Sequence, residues 1–123
     1  MKLMSSLYTI QSRQAQGTAI SFDLLLHADN PIYQAHFPGE PITPGVCVIQ
    51  IAKELLEIVY DRPLVVRAIK NVKFLAVISP VTNPQIRYTI DGLQETTDGV
   101  KAVVVVTADD RVMTHISFTV SNL

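Results

Sequence analysis

Two kinds of apolar spacing alternate along this 123-residue chain. From Thr18 to His27, Ile20, Phe22 and Leu24 alternate with Ser21 and Asp23, a period of two that predicts a half-buried strand. Leu7 to Arg13 reads as a strand before it, joined through "QAQG", where Gly17 is free to take positive φ. The stretch "DNPIYQAHF" predicts a short helical turn, capped by Asp29 or Asn30 with Pro31 at its first position. From Pro44 to about Tyr60 the period becomes helical. Val46, Ile49, Ala52, Leu56 and Val59 form one apolar line, and Val48, Ile51, Leu55 and Ile58 form a second. Only Gln50, Lys53, Glu54 and Glu57 make a polar stripe, so most of this helix should be enclosed by the rest of the protein. Thr43 is its expected N-cap, Pro44 its first residue, and Asp61 to Pro63 its end.

Four further strands are expected at Leu64 to Val77, Gln85 to Asp91, Lys101 to Ala108 and Val112 to Val120, with "DGLQETTDG" and "ADD" as the last two reversals. The first of these is long enough to bend or break in the middle. Hairpin-length turns predominate, and neither a repeat nor a linker interrupts the chain. The expected architecture is α+β over a single domain, 1–123: an antiparallel sheet curled round one central helix at about 44–60.

Composition adds an expectation of assembly. Hydrophobic residues make up 48% of the chain and charged ones 17%, with a mean hydropathy of +0.28, which is apolar for so small a protein. Part of its surface should therefore be covered by another subunit. A net charge of −1 gives no field to attract nucleic acid or anionic lipid. The longest uninterrupted apolar run, Ala102 to Val106, is far too short to span a bilayer, and the N-terminus lacks the apolar core of a signal peptide. The lone Cys47 excludes an internal disulfide and fits a reducing, cytoplasmic setting.

Chemistry concentrates in "HFPGEPITPGV", His36 to Val46. His27, His36 and His115 have no spacing suited to a metal, and no phosphate-cradling loop or nucleophile elbow occurs. The prolines and glycines after His36 would hold its imidazole in place, as a proton carrier near neutral pH or as a structural ring bonded to a carbonyl. Gly45 falls in the first helical turn, where N–H groups lack intrahelical partners. Without a side chain there, a substrate carbonyl can approach that N–H; equally, Pro-Gly is a common way to enter a helix.

These residues carry a family resemblance. "NPIYQAHFPGEPITPGV" closely resembles the active-site segment of β-hydroxyacyl-(acyl carrier protein) dehydratases, with the pattern His-Phe-Pro-Gly-x-Pro-x-x-Pro-Gly-Val, and "VKFLAVISP" is similar to their downstream strand. The recognisable motifs lie between Asp29 and Ile90. The resemblance implies the hotdog fold, an obligate dimer or higher even oligomer, and a tunnel for an acyl chain. It implies no cofactor beyond the phosphopantetheine of acyl carrier protein, or coenzyme A, on which the substrate rides. Carried over, His36 is the base, Gly45 offers its amide to the carbonyl, and the helix carboxylate contributed by the other subunit falls on Gln50. One turn later, at a position commonly Gln in the family, stands Glu54, a second candidate for catalysis. Phe37, Pro38, Gly39, Pro44, Val46 and Phe74 are the expected substrate-binding residues, with Leu24, Leu26 and Ile49 as further tunnel candidates.

Gln50 can donate a hydrogen bond but cannot release a proton. The expectation is a dehydratase acting on 3-hydroxyacyl thioesters and slowed by that exchange. A catalytically impaired acyl-binding or heterodimer subunit and a hotdog thioesterase are the alternatives. Arg67, Lys70, Lys73 and Arg87 are candidates for a basic rim that docks an acidic carrier protein. Cys47 lies where the helix dipole would lower a thiol pKa, although a buried apolar role is open to it too.

Overall fold

The computed structural model describes residues 2–35 and 39–123. Its order is β1 (Tyr8–Gln16), β2 (Ala19–Leu26), α1 (Ile32–Ala35), α2 (Gly45–Tyr60), β3 (Leu64–Phe74), β4 (Gln85–Thr96), β5 (Gly99–Ala108) and β6 (Arg111–Asn122). All six strands join one antiparallel sheet in the order β1-β2-β4-β5-β6-β3. The period-two segments place Phe22 and Leu24, Tyr88 and Ile90, Val104 and Val106, and Ile116 and Phe118 on one face, all buried. Against that face packs α2, with Ile51, Ala52, Leu55 and Leu56 fully enclosed. Each such Leu or Ile withdraws enough apolar surface to stabilise the fold by about 1.5–3 kcal/mol. The Tyr88 hydroxyl reaches 2.9 Å to the Val48 carbonyl and pins the first turns of the helix to the sheet.

Several boundaries differ from the expected ones for identifiable reasons. Pro44 is the N-cap of α2, in extended conformation, and no side chain caps the helix. Thr43 turns away from the helix: its hydroxyl lies 2.9 Å from Tyr33 Oη and its N–H donates to the Ile78 carbonyl. The loop is thus tied to α1 on one side and to the segment after β3 on the other. The helix ends at Asp61, in the left-handed conformation, and the Glu57 carboxylate accepts the Leu64 N–H beyond it. In "DGLQETTDG", β4 continues through a bulge at Gly92, φ 60°, and only Thr97 and Asp98 remain as the turn. Asn30 does the capping at α1, accepting the Ile32 N–H at 2.9 Å.

The polar stripe of α2 is not a solvated face. Glu54 is 4% exposed, and the segment before β1 is folded onto it. Conversely, the first apolar line is not fully enclosed within the chain, since Val46 is 66% exposed.

Candidate active site

The long strand β3 forms one edge of the sheet and carries two bulges, at Arg67 and Lys70, each the extra residue opposite β6. Cross-strand partners share a face, so Val66, Ile69, Val72 and Phe74 line up with Val120, Phe118, Ile116 and Thr114 on the helix side of the sheet. The helix does not cover the whole row. Ile69 and Phe74 stay exposed, as do Leu75 and Val77 just beyond the strand.

Where this row meets the start of α2 there is a cleft of about 450 Å³. It is lined by Ile42, Thr43, Pro44, Gly45 and Val48 on the helix side. Phe74, Leu75, Ala76, Val77, Ile78 and Thr114 form the sheet side. Its walls are largely apolar, as suits an acyl chain. Paired bonds from the Leu75 and Ala76 N–H groups to the Met113 carbonyl hold the end of β3 in place. A side chain at Gly45 would meet the Phe74 ring, whose Cζ lies 2.7 Å from where a Cβ would stand. The bare glycine therefore permits this ring-on-backbone contact. In a helix that begins at Gly45, the N–H groups of Gly45 and Val46 have no intrahelical acceptor, and the first bonds run from Cys47 and Val48 to the Pro44 carbonyl.

Of the expected site residues, Pro44, Gly45 and Phe74 come together at this cleft. His36, Phe37 and Pro38 lie outside the described residues, while Gly39 sits in an exposed turn. Val46 projects outward from the helix start, as the flank of an uncovered apolar face. Leu24 and Leu26 belong to the core. Arg67, Lys70 and Lys73 are exposed along β3, but Arg87 stands apart on β4, bonded to Asp23 at 2.7 Å, and does not extend that rim. This bond, ahead of the contact with Ser12, holds the Asp23 carboxyl below its ordinary range.

Gln50 and Glu54 lie one turn apart and are joined: the Gln50 amide donates to Glu54 Oε2 at 2.8 Å. Glu54 Oε2 also accepts the Leu3 N–H at 2.7 Å. Glu54 Oε1 accepts the Met4 N–H at 2.8 Å and the Tyr8 hydroxyl at 2.9 Å. Four donors converge on one carboxylate, which ties α2 to the N-terminal segment and to β1. Burial, with the bond to Glu54 second, raises the Tyr8 phenol pKa far above its usual value. Cys47 is fully buried, and burial pushes its thiol pKa up, the reverse of activation by the helix dipole. The described histidines do not line the cleft. His27 is held between Thr9 Oγ1, 2.6 Å away, and the Ser6 carbonyl, and His115 lies on β6.

A helix packed in a curled antiparallel sheet, with its first turn lining an apolar cleft, defines a hotdog protein. A family model, ApeI dehydratase (ApeI-like), matches residues 11–112. The chain belongs to the ApeI-like dehydratase family. It is 26% identical over 94 residues to the 3-hydroxyacyl-(acyl-carrier-protein) dehydratase FabZ of Latilactobacillus sakei subsp. sakei, covering 71% of this chain and 67% of that one. Its fold is similar to that of the dehydratase heterocomplex ApeI:P from Xenorhabdus doucetiae, with TM-score 0.71, 16% identity and coverage of 93% and 97% of the two chains. An uncharacterized protein from Pyrococcus horikoshii shares the fold at TM-score 0.66 and 11% identity, with 93% and 83% covered. No helix among the described residues is long and apolar enough to cross a membrane.

Proposed function

We propose that the protein is a (3R)-3-hydroxyacyl thioester dehydratase of acyl-chain biosynthesis, acting on chains borne by the phosphopantetheine of acyl carrier protein or coenzyme A. The observation that carries this reading is the α2 first turn, where Gly45 lines an apolar cleft with only the Phe74 ring against it, in a chain of a dehydratase family. In the proposed mechanism the carbonyl oxygen of the thioester meets the Gly45 N–H. This donor stabilises the enolate-like charge that forms when His36 removes the C2 proton. The C2–H electron pair becomes the C2–C3 double bond, the C3–O bond breaks, and hydroxide leaves with a proton as water. Gln50 orients that hydroxyl but has no proton to give, so the imidazolium of His36 returns the one it took. Losing a dedicated acid costs about 10²–10⁴ in rate, which slows the reaction and does not abolish it.

A second reading is favoured by the Gln50–Glu54 pair. With four donors already on it, Glu54 has no vacant acceptor site to turn toward substrate, so α2 offers no ready acid. A related subunit would complete a site around His36 of this chain by lending the carboxylate. The protein would then act as half of a heterodimer joined along β3 and the exposed residues beside it.

Both readings are tested by incubating the pure protein with a 3-hydroxyacyl thioester while following enoyl product and free thiol. Enoyl formation that His36→Ala abolishes and Gln50→Glu raises by about tenfold or more supports the first. Absence of enoyl product from a homodimer, restored by adding a related subunit, supports the second. Thiol release without enoyl product would replace both with a thioesterase.

A further inference from the structure

Thr114 lies on the inner face of β6, wholly buried, and its hydroxyl has no hydrogen-bond partner among the described residues. A hydroxyl sealed in that way costs free energy on folding unless something pairs with it. Its surroundings indicate what does. Thr114 forms the sheet-side floor of the cleft whose opposite wall is Gly45, at the start of the sixteen-residue helix α2. Directly across the strand pair stands Phe74, on the same face, and its ring lies against Gly45. One half-exposed ring at the end of an edge strand thus stands beside both that hydroxyl and the N–H groups of the helix start, which have no intrahelical acceptor. A turn of that ring about its side-chain bonds would open both to the cleft together.

We infer that Thr114 is a substrate-contacting residue. When the Phe74 ring swings aside, its hydroxyl donates to the same acyl carbonyl oxygen as the helix N-terminal N–H. Donors from two walls converge on an acceptor, which selects a carbonyl over an ammonium or an apolar group. A hydroxyl on a rigid strand adds a second direction of approach to that oxygen, and the glycine amide alone supplies only one. This assignment rests on the acyl-thioester reading above.

The test compares wild type, Thr114→Val and Thr114→Ser. Valine keeps the shape and removes only an unpaired hydroxyl, so thermal stability should hold or rise, which shows that the variant folds. With 3-hydroxyhexanoyl-N-acetylcysteamine, kcat/KM should fall about 10²-fold in Thr114→Val, with roughly a three- to tenfold rise in KM and the rest in kcat, and Thr114→Ser should recover most of it. With hexanoyl-pantetheine, which cannot be dehydrated, binding followed by NMR should weaken about three- to tenfold in Thr114→Val. Dehydration and binding both at wild-type level in Thr114→Val overturn the role of Thr114 and leave the dehydratase reading standing. A wild type that binds but does not dehydrate removes the dehydratase reading, and the binding comparison still decides for Thr114. A wild type that does neither removes both.

Discussion

Glu54 shows how one side chain can decide the shape of a region far from it in sequence. Its carboxylate gathers two backbone N–H groups, a phenol and an amide, joining residues about fifty positions apart. Glu54→Ala would leave those donors without an acceptor while the segment before β1 loses its anchor. We expect a loss of about 3 kcal/mol, read from urea unfolding, with Glu54→Gln in between because an amide accepts on one side only. An unchanged midpoint would mean that water replaces these bonds at no cost. Gln50 shares the carboxylate, so the fall should come with altered positioning of its amide.

Among the elements, the β4–β5 hairpin depends on a single backbone freedom. Gly99 has φ 136°, and an added Cβ would run into the Val120 carbonyl and the Ser121 side chain of β6. Gly99→Ala should therefore cost roughly 3 kcal/mol, through strain and a displaced strand, measurable as a lowered urea midpoint. The elements themselves were legible because periods of two and of 3.6 leave different marks and capping residues mark the short α1, and every strand and both helices fall close to where those signals place them. What spacing does not encode is which polar group meets which. Glu54 looks like any member of a polar stripe until the N-terminal segment folds over it, and Thr43 looks like a cap until Tyr33 claims its hydroxyl. Thr114 gives no signal at all, since a threonine in a strand is what strand propensity favours. Pro44, Gly45 and Phe74 were legible as a cluster only because their motifs match a family, not from their positions.

At the scale of the molecule, three tyrosines, Tyr8, Tyr33 and Tyr88, are buried in one core, and burial is the leading reason that each has a raised pKa. The folded chain keeps them protonated where an unfolded one begins to ionise, near the ordinary value of 10.0. Above that pH the unfolded state binds fewer protons, so stability is full below it and falls as pH rises. Denaturant titrations from pH 8 to 11.5 should show this decline. Tyr8→Phe, weaker by about 2 kcal/mol at pH 8 through the lost bond to Glu54, should close part of that gap in alkali. A gap that stays constant across the range would show that Tyr8 does not titrate with unfolding.

The two margins of the sheet are chemically unequal, and growth of any assembly is limited by that. β1 presents Ser12, Arg13, Gln14 and Gln16 along its outer half, whereas β3 has two kinks at basic residues beside an oily flank. Two copies meeting β3 to β3 would cover the apolar border of each, leaving hydrophilic rims at both ends of the doubled sheet. Such a contact closes on itself at two subunits, and the polar side chains of β1 would disfavour a fibre built by strand addition at the edges that remain.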